Sequence, residues 1–218
     1  MSRATPRILL VDIVSLLALA ASFVATLAMW SNLPDRVPIH FDIHGVANGF
    51  ASRAVGAFLL PALAAGVWLL VRFGTGLLPV GEGRNGLQAR ATASAACALT
   101  VFLLALHVSS LRAAATGRLS SAFFPIALGG FCLALTVLLP CIRRNVFIGI
   151  RTPWALASDE NWARTHRVAS FTMLGAAVAC FLAPLFATPG LALPVASVLF
   201  AALVPAIYSA VIAHRSTT

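Results

Sequence analysis

The sequence predicts an all-α membrane protein. Six transmembrane helices are expected, with the N-terminus and C-terminus cytoplasmic, a structured outer loop between spans one and two, and a cytoplasmic helical loop between spans four and five. Three observations carry this. First, 60% of the 218 residues are hydrophobic and only 10% are charged, whereas a soluble domain is about 25% charged. Second, mean hydropathy is +0.95, and six apolar runs reach the roughly 20 residues needed to cross the hydrocarbon at about 1.5 Å each. Third, the basic residues, all arginine, cluster at the ends of those runs.

Span one is expected at Ile8–Trp30. Arg3 and Arg7 precede it, but its apolar run outlasts the roughly 7–15-residue core of a signal peptide, so it reads as an uncleaved span. Asp12 lies one turn in, and an ionisable residue there marks either function or a hydrated or arginine-paired carboxylate. The further spans are expected at Ala54–Leu78, Ala89–Leu111, Ser121–Cys141, Val168–Ala187 and Leu191–Ala213. Arg72, near the inner end of span two, can snorkel. His107, near the outer end of span three, reads as a hydrogen-bonded packing residue. The turn signal Thr188-Pro189-Gly190 makes spans five and six a tight antiparallel pair. Pro61, Pro184, Pro194 and Pro205 fall within or near span ends, where membrane helices tolerate kinks. The whole chain, 1–218, is expected to form one membrane domain: spans one and two within 8–79, and spans four to six within 121–213.

Arginine placement predicts the orientation. An inside N-terminus puts eleven arginines inside (3, 7, 72, 84, 90, 143, 144, 151, 164, 167 and 215) and four outside (36, 53, 112 and 118). That is the positive-inside bias. The formal charge of +9 therefore belongs to membrane topology and lipid contact, and direct nucleic-acid binding is not favoured. Cys97, Cys132, Cys141 and Cys180 lie in or beside apolar runs without CxxC spacing, and read as buried free thiols.

The outer loop, 33–53, reads LPDRVPIHFDIHGVANGFASR. Pro34 and Pro38 favour extended or turn backbone. Gly45 and Gly49 permit positive φ, and Asn48-Gly49 is a turn dipeptide. A compact loop is expected. His40, Asp42 and His44 are ordinary metal-ligand types that would share one face of a strand. The competing reading is a polar loop whose side chains satisfy the backbone. No metal or other cofactor is implied elsewhere.

The inner loop, 143–167, holds five of the fifteen arginines and two of the four tryptophans. Thr152 fits a helix N-cap with Pro153 at the first position, and Ser158 fits a second cap ahead of Asp159 and Glu160. A helix is expected from there into span five, with Trp162 and His166 on one face and Arg164 and Arg167 on another. Interfacial Trp and Arg are also ordinary membrane anchors. The chain has no HExxH, Walker, Rossmann or Ser-His-Asp pattern. The adjacent carboxylates Asp159 and Glu160 diverge on a helix, so an enzyme is not favoured.

The order of residue types in this loop is distinctive. Asn145, then Gly149-Ile150-Arg151-Thr152-Pro153-Trp154, then Trp162 and His166-Arg167 resemble the signature of the SdpI family of bacterial membrane proteins. Leu33-Pro34, Pro38, His40-Phe41, Gly45, Gly49 and Ser52-Arg53 resemble a small membrane domain of unknown function often found ahead of that signature. The chain departs at Ala155, where threonine is expected, at Ala169-Ser170, where glycine is expected, and at His44. The resemblance implies a non-enzymatic immunity or signalling protein of the bacterial inner membrane. Its implied partners are a peptide toxin outside and a cytoplasmic repressor or other protein inside. Arg151, Trp154, Trp162, His166 and Arg167 are the expected inner site, and His40, Asp42 and His44 the outer one. A small transporter or channel and a metal-dependent membrane enzyme at His40, Asp42 and His44 are the alternatives.

Overall fold

The computed structural model describes residues 10–74, 86–146, 148–186 and 190–215. Arg3, Arg7, Arg84, the first residues of span one, the expected end of span two and most of the Thr188-Pro189-Gly190 turn lie outside them. Of the chain, 78% is helical. Six helices are long and apolar enough to cross a membrane. They are built on α1 (Leu10–Met29), α2 (Arg53–Leu69), α3 (Gly86–Thr116), α4 (Phe123–Leu138), α6 (Asp159–Leu182) and α7 (Ala192–Arg215), of which α1, α2, α4 and α6 are each prolonged by a short helical turn of another pitch; a short α5 (Pro153–Ala157) lies between α4 and α6.

The helix surfaces invert the soluble pattern. Leu17, Leu27, Phe171, Phe200 and Ile207 are all more than 60% exposed, while Ala57, Ala155, Ala169 and Ala201 are completely buried. Lipid is as apolar as leucine, so membrane helices associate through close packing of small residues. α4, α6 and α7 pack around Cys132, Ala169, Ala176, Ala177, Cys180 and Ala201. The other group joins α1, α2 and α3 around Leu19, Ala64, Trp68, Ala96 and Leu103. Ile148, from the loop before α5, packs against this second group. α6 and α7 form the close pair that their short connection predicts.

The outer loop carries the one sheet among the described residues. β1 (Arg36–Phe41) pairs antiparallel with β2 (Ala47–Ser52), with irregular register around His40. Both strands are edges, which is where Pro38 is tolerated. Asn48-Gly49 is not the turn. Gly49 lies in β2 opposite His40 and has no positive φ. A Cβ there would lie 2.8 Å from that of His40, so Gly49 supplies room. The turn runs from Asp42 to Val46, with Gly45 at φ 74°.

Three connections meet at this end of the bundle. Val46 bridges Arg118, Leu119 N–H donates to the Gly45 carbonyl, and Leu191 N–H donates to the Ile43 carbonyl. Phe41 packs with Ala113, Leu119 and Leu191, and Ser110 of α3 donates to the Pro38 carbonyl. The loop 143–167 occupies the opposite end.

Candidate functional site

The loop between α4 and α6 is held by side chains that the backbone requires. Asn145 accepts from the Ile148 N–H at 2.8 Å and donates to the carbonyls of Arg143 and Ile148. Thr152 caps α5 by accepting from Ala155 N–H at 3.1 Å, with Pro153 in the first turn. Ser158 caps α6 by accepting from Asn161 N–H, and α6 then runs unbroken into the fifth span. It begins at Asp159, as the Ser158 cap predicts, nine residues ahead of the apolar run expected from Val168. Arg144 joins the two helices, donating to Asp159 at 2.6 Å and to the Leu156 carbonyl at 2.7 Å.

Trp162 and His166 form the centre of the loop. Their rings stack at 4.1 Å between centroids, as i, i+4 spacing allows. Trp162 Nε1–H donates to the Ile142 carbonyl at 2.7 Å. His166 Nε2 accepts from Ile150 N–H at 3.1 Å, which leaves Nδ1 to carry the hydrogen and donate to the Trp162 carbonyl at 2.9 Å. These partners assign the neutral Nδ1–H tautomer. Gly149 closes over both rings at φ 112°. A Cβ there would collide with His166 Nε2 and approach Trp162 to 3.0 Å.

A second network ties the loop to α7. Thr152 and Ser209 share a hydroxyl bond of 2.7 Å. Asn161 donates to the Ser209 carbonyl and accepts from Thr165. Asn161, Thr165 and Ser209 are buried, so each bond spares a desolvated polar group. The residue order of the loop gave no sign of these three. Only the positions 161 and 165, four apart, mark two of them as sharing a face.

The signature residues of this loop thus divide. Asn145, Gly149, Thr152, Pro153, Trp162 and His166 build the bracket. Arg151, Trp154 and Arg167 are exposed. Arg151 donates to the Val146 carbonyl at 2.8 Å and has no carboxylate partner among the described residues. It lines a shallow cavity of about 520 Å³ with Val146, Gly149, Thr152 and Leu156. Arg167 is not brought to this cavity. Ala155, the departure from threonine, is fully buried beside Trp162. Ser170, where glycine is expected, donates to the Thr136 carbonyl of α4 at 2.5 Å.

At the other end, His40, Asp42 and His44 do not converge. No group of three His, Cys, Asp or Glu able to hold a metal occurs among the described residues. His40 Nδ1 bonds Asn48 at 2.6 Å. Asp42 Oδ1 accepts from the N–H of His44 at 2.8 Å and of Val46 at 2.9 Å, closing the turn as aspartate does. The alternating spacing that would align three ligands fails because Asp42 and His44 are past the end of β1, in the turn. Pro34 serves through its carbonyl, which accepts from Arg53 Nε. Arg53 also pairs with Asp35 across the strand feet.

The Val46 amide bond, aided by the His44 amide and the charges of His44 and Arg118, holds the Asp42 carboxyl below its ordinary value. A carboxyl depressed in the folded state contributes stability above its unfolded pKa and loses it as pH falls through the folded pKa. Hydrogen exchange of the Val46 amide is therefore expected to be slow at neutral pH. Measured against the intrinsic rate at each pH, this protection should be lost only below the ordinary carboxylate range, and Asp42→Ala should remove it at every pH.

Within the bundle, Asp12 pairs with Arg72 at 2.8 Å, the side chains 5% and 14% exposed. His107 Nε2 bonds the Thr26 hydroxyl at 2.8 Å, as a packing histidine would.

The fold and these two ends define a multi-pass membrane protein with a hairpin-capped face and a hydrogen-bonded bracket at the opposite face. Residues 141–209 match the SdpI/YfhL protein family and residues 17–65 match a domain of unknown function (DUF1648). Over residues 141–209 the chain is therefore similar to the SdpI/YfhL family, and over 17–65 to that domain. The first matched region spans the bracket, from just before Ile142 to Ser209, and the second spans most of α1, the hairpin and most of α2. No curated protein and no solved structure matches the chain.

Proposed function

We propose that this is a non-enzymatic immunity or signalling protein of the bacterial inner membrane, with both termini cytoplasmic. The hairpin face meets a peptide toxin or envelope disturbance, and the loop 143–167 docks a cytoplasmic regulator. The match of residues 141–209 to the SdpI/YfhL family supports the class. One observation carries the docking role: the loop commits Asn145, Gly149, Trp162 and His166 to a rigid frame while leaving Arg151 and Trp154 exposed at its edge. A membrane anchor needs no such frame. Arg and Trp are also the side chains that dominate protein interfaces.

Orientation follows the arginine bias. Arg151→Ala removes an exposed group and its bond to the Val146 carbonyl, and leaves the bonds of Asn145, Thr152, Trp162 and His166 intact. It is expected to abolish the cross-linked partners captured from cells at the loop, and toxin resistance with them, at unchanged protein level. Unchanged resistance together with unchanged partners would defeat the docking role.

A further inference from the structure

The hairpin face holds a second cavity, of about 390 Å³, between the end of α3 and the start of α4. It lies outside both family-matched regions. Arg112, Arg118, Ser109 and Ser121 line it, with Leu119 and Phe123 as its apolar wall.

Three features single it out. Arg112 and Arg118 are exposed, and neither has a carboxylate partner within ion-pair distance among the described residues. Two guanidiniums on one concave wall repel each other unless an anion lies between them. Asp42 feels the Arg118 charge, but its Oδ1 is held by the turn amides.

The second feature is Ser109, which is only 4% exposed and whose Oγ has no hydrogen-bond partner. Ser15, Ser22 and Thr100, buried in the same bundle, each donate to the carbonyl one turn back. Ser109 does not, and an unpaired buried hydroxyl is costly. It belongs to a residue in the wall of a cavity that carries two cations.

The third is position. The cavity sits where two spans end, next to the exposed ring of Phe123 and level with the hairpin contacts of Arg118 and Leu119. That is the depth of lipid headgroups at a span end.

We infer that this cavity binds a phosphate-type oxyanion, clamped by Arg112 and Arg118 and receiving a hydrogen bond from Ser109. The phosphate can belong to an anionic phospholipid headgroup or be free in solution. Arginine suits either, since its planar fork matches phosphate oxygens.

Isothermal titration of the full-length protein in nonionic detergent tests this. The probes are short-chain phosphatidylglycerol, short-chain phosphatidylcholine and inorganic phosphate. Arg112→Gln/Arg118→Gln and Ser109→Ala are the site variants, and Arg36→Gln removes a cation elsewhere on the same face. Phosphatidylglycerol is expected to bind at least tenfold more tightly to the native protein than to the double arginine variant. Ser109→Ala should weaken it several-fold and Arg36→Gln should leave it unchanged. Tight binding of phosphatidylglycerol alone identifies a lipid site, and equal binding of inorganic phosphate identifies a free anion; both uphold the inference. Binding of every probe that is unaltered in the double arginine variant, or an equal loss in Arg36→Gln, overturns it.

Discussion

Arg72→Ala lowers the unfolding free energy by about 3–5 kcal/mol, the usual cost of leaving one charge of a buried pair without its partner. The Arg72–Asp12 bond of 2.8 Å joins the end of the second span to the start of the first, and both side chains are largely removed from solvent. Without the guanidinium, the carboxylate stays in a low-dielectric bundle with its main counter-charge gone. The Asp12→Leu/Arg72→Leu double variant should recover most of the loss, because it leaves no orphaned charge. Equilibrium unfolding of the four-member cycle in detergent reads the coupling directly. Single variants within about 1 kcal/mol of the native protein would show that the pair is open to solvent, against the surface-pair scale of about 0–1 kcal/mol.

Gly149→Ala is the second large effect, about 2–5 kcal/mol from left-handed strain and overpacking together. The alanine methyl would need space already held by His166 Nε2 and the Trp162 ring. Shifting either ring strains the Ile150–His166 or Trp162–Ile142 bond. Gly117→Ala is the internal control. Gly117 also has positive φ, at 70°, but open space where the Cβ would go. It should therefore lose only the dihedral term of about 1–2 kcal/mol. Thermal unfolding of both variants separates clash from conformation. Equal losses would mean that the rings are not packed against residue 149.

Residue type and spacing made part of this legible in advance. The spans were readable because apolar length is a local property, and α5 and α6 were readable because Thr152 and Ser158 cap them locally. The hairpin was harder. Pro38 argues against a strand, and Asn48-Gly49 imitates a turn that Asp42 and Gly45 actually make. The pairs Asp12–Arg72, Asn161–Ser209 and Thr152–Ser209 join residues far apart in the chain. No periodicity shows that Ser209, one of two serines in the last span, faces an asparagine in the fifth. In the loop itself, residue order drew attention to the segment that opens the family match. It did not separate side chains that build the bracket from those left at its edge, since that division depends on which groups the fold buries.

That division makes the docking role directly measurable. A photo-reactive amino acid placed at Trp154, on the exposed edge near Arg151, and separately at Ala163, exposed elsewhere on α6, reports what each position touches in living cells. The expected result is a discrete cross-linked protein at position 154, absent at position 163 and lost when Arg151→Ala is combined with the 154 probe. The same cross-links at both positions, or a product at 154 that persists without Arg151, would contradict a docking site at this loop.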